Sequence, residues 1–117
     1  RKGSRILVLG LSFKEDVGDI RNSKSIELVK KINNKNFIVN CYDPKVNEKD
    51  LAKVYKIKMS LPKGRYDCII VAVAHKEFVK MHKKKIFALM NENTYIIDIK
   101  GVWNKKISSK YKNYWVL

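Results

Sequence analysis

Arg5-Ile6-Leu7-Val8-Leu9-Gly10 is a short, continuous apolar run closed by a glycine. A strand exposed on one face alternates apolar and polar residues, whereas a strand covered on both faces does not need to. The run therefore predicts the first strand of a parallel α/β sheet. Downstream, after a polar loop, Ile26, Leu28, Val29 and Ile32 recur at helical spacing over residues 25–33, with Lys30 and Lys31 facing away. Asn22, Ser23 or Ser25 stands where a helix cap is needed. Phe37-Ile38-Val39-Asn40-Cys41-Tyr42 predicts a second strand, halted by Asp43-Pro44 because proline removes a donor and restricts the residue before it.

The remaining chain repeats this alternation. A short helix is expected over 48–55 through Leu51, Ala52 and Val54, then a short strand over Ile57-Lys58-Met59. Residues 66–74 are the most hydrophobic stretch and predict the central strand, which ends at His75. Phe78, Met81, Ile86, Phe87, Leu89 and Met90 predict one helix, or two with a break near Lys83-Lys84-Lys85. Thr94-Tyr95-Ile96-Ile97-Asp98 predicts a final parallel strand. The tail with Tyr114, Trp115 and Val116 is too aromatic to be left in water and is expected to pack on this core or on another domain. Together these elements predict a doubly wound, mostly parallel α/β sheet with helices on both faces. Such sheets bind ligands beyond the carboxyl ends of their strands, which singles out the loops 10–22, 42–46, 74–77 and 98–104.

With 117 residues and 45% apolar content, the chain is expected to be one compact unit with one core. Its longest apolar run, Cys68-Ile69-Ile70-Val71-Ala72-Val73-Ala74, is strand-sized, far short of the ~20 residues that cross a bilayer. The start at Arg1-Lys2-Gly3-Ser4 rather than Met, with no signal-like apolar segment, is read as a piece of a longer cytoplasmic protein. Cys41 and Cys68 sit in strand-like surroundings and are expected to be small buried residues of a reducing compartment. No cysteine or histidine spacing suits a metal. Lys and Arg total 26 against 11 Asp and Glu, a formal charge of +15 that attracts phosphates of any kind and keeps nucleic acid and nucleotides both open. Clusters such as Lys83-Lys84-Lys85 and Lys105-Lys106 are more ordinarily a solvated face.

In a dinucleotide-binding fold the loop after the first strand carries G-x-G-x-x-G, so that backbone approaches a pyrophosphate. Here Gly10 fills the first position, but Ser12 and Glu15 stand at the second and third. A self-contained NAD site is therefore not expected. The loop offers instead the cations Lys14 and Arg21, the planar Phe13, and Asp19 to orient a guanidinium.

Gly10-Leu11-Ser12-Phe13-Lys14 followed by Asp19-Ile20-Arg21-Asn22-Ser23 resembles the opening of the C-terminal domain of the UDP-glucose and GDP-mannose dehydrogenase family. Tyr42-Asp43-Pro44-Lys45-Val46, Val73-Ala74-His75-Lys76-Glu77-Phe78 and Asp98-Ile99-Lys100-Gly101-Val102-Trp103 are similar to strings in the same order in that domain. The details, including Tyr114-Trp115-Val116-Leu117, are most similar to bacterial enzymes acting on UDP-N-acetylhexosamines for surface polysaccharides. The resemblance implies an NAD-dependent oxidation of a UDP-sugar C6 hydroxyl to a carboxylate. It also implies that an N-terminal domain binds NAD, that a helical middle region supplies a catalytic cysteine and the dimer contact, and that this domain closes over the UDP part. By matched position it assigns Phe13 and Lys14 to the nucleotide sugar, Arg21 to the cofactor pyrophosphate across an interdomain cleft, and Lys100 to the substrate's surroundings. Relatives often carry arginine at the position of Lys100, and a lysine supplies charge without a planar fork. No catalytic residue falls in the chain, which alone is expected to be inactive.

Structural roles stand beside these assignments. Phe13 could plug the loop onto the core, Asp19 and Arg21 could form a loop-stabilising pair, and Asp43-Pro44 could be an ordinary strand-ending turn. For Asp43 and Asp98 the structural role is the favoured one. His75 is expected to be a surface or helix-capping residue, with a place facing the cleft as its alternative. Rival functions are a basic nucleic-acid-binding module, a response-regulator-like or other flavodoxin-like domain, and a complete small oxidoreductase. The lack of a nucleic-acid motif, the placing of Glu15, Asp16 and Asp19 deep in a loop, and the broken glycine fingerprint respectively weigh against them.

Overall fold

The computed structural model describes residues 3–117, so the Arg1-Lys2 start lies outside the described residues. Five strands form one sheet in the order β2-β1-β3-β4-β5, every neighbouring pair parallel. They are β1 (Arg5–Leu9), β2 (Ile38–Tyr42), β3 (Tyr66–Val71), β4 (Met90–Asp98) and β5 (Tyr114–Val116). Four helices, α1 (Lys24–Asn33), α2 (Glu48–Tyr55), α3 (Lys76–Val79) and α4 (Lys83–Ala88), connect them.

The opening run explains the layering. Side chains alternate across a strand, so Ile6 and Val8 point to one face of β1 and Leu7 and Leu9 to the other. Ile6 and Val8 join a core with Ile26 and Val29 of α1 and Leu51 of α2. Leu7 and Leu9 join a second core with Phe78 of α3, Ile86 of α4 and Trp103. Helices thus cover both faces, as the absence of alternation demanded.

Two elements depart from the sequence expectation. Residues 57–59 form no strand: beside β2 the segment makes the single backbone bond Ser60 N–H to Cys41 O (3.0 Å), and Pro62 removes a donor further on. The segment after His75 takes the second of its two expected forms, two short helices broken ahead of the lysine triplet where His82 Nδ1 accepts from Lys84 N (3.1 Å). Met90, expected in a helix, begins β4; between the pairs Tyr66–Met90 and Cys68–Tyr95 the register advances two residues on β3 and five on β4, a bulge. The aromatic tail is itself a strand, held along β4 by the Ile96 N–H bond to Asn113 O (2.8 Å).

The chain leaves β1 toward β2 on one side, and β3 then lies on the other side of β1. The switch point therefore falls between the carboxyl ends of β1 and β3, where loop 10–22 and residues 72–75 emerge together.

Candidate functional site

Ser23 begins α1 and ties it to the loop. Its Oγ accepts from Ile26 N (3.2 Å) and donates to Leu11 O (2.7 Å), so it is the cap among the three expected candidates. Gly10 has φ +101°, and a Cβ there would lie 2.6 Å from Val73 Cβ; the close approach of the β1 and β3 ends requires glycine.

Beneath the loop lies a carboxylate. Asp43, fully buried at the end of β2, accepts from Leu11 N (2.7 Å) and Ser12 N (3.0 Å) at Oδ2, and from Lys45 N (2.8 Å) at Oδ1. In a dinucleotide site the backbone donors following the first strand turn to a ligand phosphate. Here two of them are satisfied by the protein's own anion, so the loop does not fit a self-contained NAD pyrophosphate site. The residues alone favour an ordinary strand-ending turn at Asp43-Pro44; the Asp43 carboxylate is in addition the hub on which the loop is built.

His75 meets the same carboxylate. It is 0% exposed and sits at the start of α3 with no side-chain cap bond, which corrects its reading as a surface or helix-capping residue. Asp16 N–H donates to Nδ1 (2.8 Å), which leaves the proton on Nε2, facing Asp43 Oδ2 (2.8 Å) and Ser12 Oγ (3.1 Å). Serine and aspartate therefore meet one and the same ring nitrogen. A nucleophilic triad needs them on opposite nitrogens, so this trio holds structure and activates nothing.

Above this base, Phe13 is 58% exposed and shares with Asn22, Lys24, Ser25, Val73 and Ile99 the walls of a cleft of about 370 Å3 at the start of α1. Lys14 is exposed on the loop, and neither Lys14, Arg21 nor Lys100 lines that cleft. The Arg21 side chain is 84% exposed and forked onto Asp19, with Nε to Oδ1 at 3.0 Å and Nη2 to Oδ2 at 2.9 Å. Its guanidinium and backbone N–H hold the Asp19 carboxyl down to about 2. The loop-stabilising pair weighed from the sequence is thus present, with the guanidinium still open to water. Lys100 is exposed beyond β4, while buried Asp98 accepts from Val102 N (3.0 Å), Trp103 N (2.8 Å) and Tyr114 Oη (2.6 Å). The structural role favoured for Asp98 is what the contacts describe.

Burial pushes the thiols of Cys41 and Cys68 up to about 11, opposite to what an activated thiolate needs. Among the described residues no group of side chains could hold a metal ion, and no helix is long and apolar enough to cross a membrane.

These features define a Rossmann-like parallel α/β domain whose first loop presents side chains in place of a glycine cradle. Residues 7–105 match the UDP-glucose/GDP-mannose dehydrogenase family, UDP binding domain, and the chain belongs to that family. It is 38% identical over 100 residues to the UDP-N-acetyl-D-glucosamine 6-dehydrogenase of Pseudomonas aeruginosa, covering 84% of this chain and 24% of that protein. The Salmonella typhi protein of the same name is 34% identical over 103 residues, covering 86% of this chain and 24% of its own length. The structure of UDP-D-ManNAc dehydrogenase from Pyrococcus horikoshii superposes with a TM-score of 0.66 at 29% identity, over 98% of this chain and 25% of that one. The chain thus spans about a quarter of the length of the relatives it matches.

Proposed function

We propose that this chain is the C-terminal nucleotide-sugar-binding domain of a longer cytoplasmic, NAD-dependent UDP-sugar 6-dehydrogenase, which converts a C6 hydroxyl to a carboxylate for polysaccharide precursors. The observation that carries the proposal is the way the loop is built: its inner backbone donors are spent on Asp43, while Phe13 and Lys14 are left on its outer side. An aromatic plane beside a cation suits a nucleotide, whose base and sugar are flat or apolar and whose phosphates are anionic. Lys14 meets the phosphates or hexose oxygens, and Phe13 borders the nucleotide. Arg21 reaches the cofactor pyrophosphate, for which its fork is suited. Lys100 adds charge near the substrate. NAD is held mainly by an N-terminal domain outside this chain, a reading supported by the two inner backbone donors of the loop that Asp43 occupies. A middle region supplies the reactive cysteine and the homo-oligomer contact, and the fragment alone is inactive.

The test is Lys14→Ala and Arg21→Ala in the enzyme carrying this domain. Lys14→Ala is expected to lower kcat/KM for the UDP-sugar by about 10- to 100-fold with the fold intact, the usual cost of a lost charge-assisted contact. Arg21→Ala is expected to raise the KM for NAD. Unchanged kcat/KM in Lys14→Ala overturns the assignment, and a change confined to the UDP-sugar KM in Arg21→Ala means the two cations have exchanged roles.

A further inference from the structure

We propose that His75 is a positioning residue that latches loop 10–22 to the carboxyl end of β3, so that Phe13 and Lys14 are presented as a fixed pair. This rests on the nucleotide reading of those two residues.

The geometry is reciprocal. Asp16 N–H donates to His75 Nδ1 (2.8 Å), and Lys76 N–H, one residue on from the histidine, donates back to Asp16 Oδ1 (2.8 Å). Asp16 adopts φ +60°, a left-handed conformation that is unfavourable for an L-residue and persists where neighbours hold it. The other ring nitrogen faces Ser12 Oγ (3.1 Å), whose hydroxyl donates to Lys14 O (3.0 Å). One imidazole thus touches the loop at Ser12 and at Asp16, on either side of Phe13 and Lys14. A third tie, Phe13 N–H to Asp19 O (2.6 Å), closes the base of the turn. Nothing in the core requires Phe13 to stay more than half exposed. A fully buried side chain fixing the points on each side of it accounts for that exposure, because pre-ordering a loop removes the entropy a ligand would otherwise have to oppose. The latch works in one tautomer, since Nδ1 must accept while Nε2 donates to Asp43.

Two substitutions separate the arms. His75→Gln can return a donor to Asp43 but offers nothing to Asp16; His75→Asn places Oδ1 where Nδ1 stands and restores the acceptor. In this chain, His75→Gln is expected to speed amide exchange at Asp16 by about tenfold or more, with Ile69 and Ile96 unchanged, and to weaken UDP binding by about tenfold. His75→Asn is expected to recover most of both, and imidazole 15N shifts of the parent chain should show a bare Nδ1 and a protonated Nε2. If His75→Gln does not fold, Asp16→Ala, which loses the carboxylate half of the bracket, should give the same loop-confined rise in exchange. Unaltered exchange of the amide at position 16 in either variant overturns the latch, as does equal loss of UDP binding in the Asn and Gln variants. Loosened loop amides with UDP affinity indifferent to both His75 variants and to Lys14→Ala would leave the latch standing and remove the nucleotide reading instead.

Discussion

The side chain on which most of the site depends is Asp43. Removing it strands the buried N–H groups of Leu11 and Ser12 and the part-buried N–H of Lys45, and leaves the Nε2–H of His75 with Ser12 Oγ alone. Since each buried donor left unpaired costs about 1–3 kcal/mol, Asp43→Ala is expected to lower unfolding free energy by about 3 kcal/mol or more in urea. Asp43→Asn should recover part of this, because its one acceptor oxygen can serve Leu11, Ser12 and His75 where Oδ2 stands, while its amide nitrogen would face the N–H of Lys45. The Asp19–Arg21 pair is the contrasting case: it lies in solvent, so Arg21→Ala should leave the urea midpoint unmoved even if it alters ligand use. On the alkaline side, burial raises the Cys41 and Cys68 thiols from 9.0 to about 11 and also pushes the Tyr114 phenol up. Groups raised in the fold contribute stability that is complete below their unfolded values and is lost as pH climbs through the folded ones. The urea midpoint is therefore expected to hold to about pH 9 and fall from there toward pH 11.

Among the elements, α1 and β5 show how site and scaffold share contacts. Ser23 both caps α1 and fastens Leu11, so Ser23→Ala should cost about 1–2 kcal/mol and also loosen the loop, a coupling that thermal melts and amide exchange can check together. β5 is short, and its anchor is the bond from Tyr114 Oη to Asp98 Oδ2 (2.6 Å). The aromatic content of the tail predicted packing on this core or on another domain without saying how. Its pairing as a parallel edge strand depends on β4 being where it is. Likewise 57–59 has the composition of a strand yet forms none, because an edge position beside β2 and the nearby proline leave it too few partners.

For the whole molecule, one sheet separates two cores, and the two tryptophans report on different surroundings. Trp103 is 0% exposed, with Nε1 donating to Phe78 O (2.9 Å), while Trp115 is 45% exposed and stacked on Tyr95 at 5.8 Å. Acrylamide is expected to quench Trp115 emission while Trp103 persists until unfolding; full quenching of both in native buffer would contradict the packing around Trp103. The charge of +15 makes the folded chain repel itself, so moderate salt should raise its urea midpoint as screening shortens the reach of those charges. Oligonucleotides will meet the same field, and their binding is expected to fall steeply with salt, unlike a ligand also held by Phe13.

Much of this was legible in the residues alone. Continuous apolar runs over residues 6–9 and 68–74 determined buried parallel strands, and the serine and glutamate in place of glycines determined that the first loop is not a dinucleotide cradle. These are local properties, carried by spacing over a few positions. What only the tertiary structure decided were the partners of Asp43 and His75: Leu11 and Asp43 are 32 positions apart, Asp16 and His75 59 apart. No periodicity reports such pairs, because they exist only once β1, β2 and β3 lie side by side and bring their carboxyl ends within hydrogen-bonding reach.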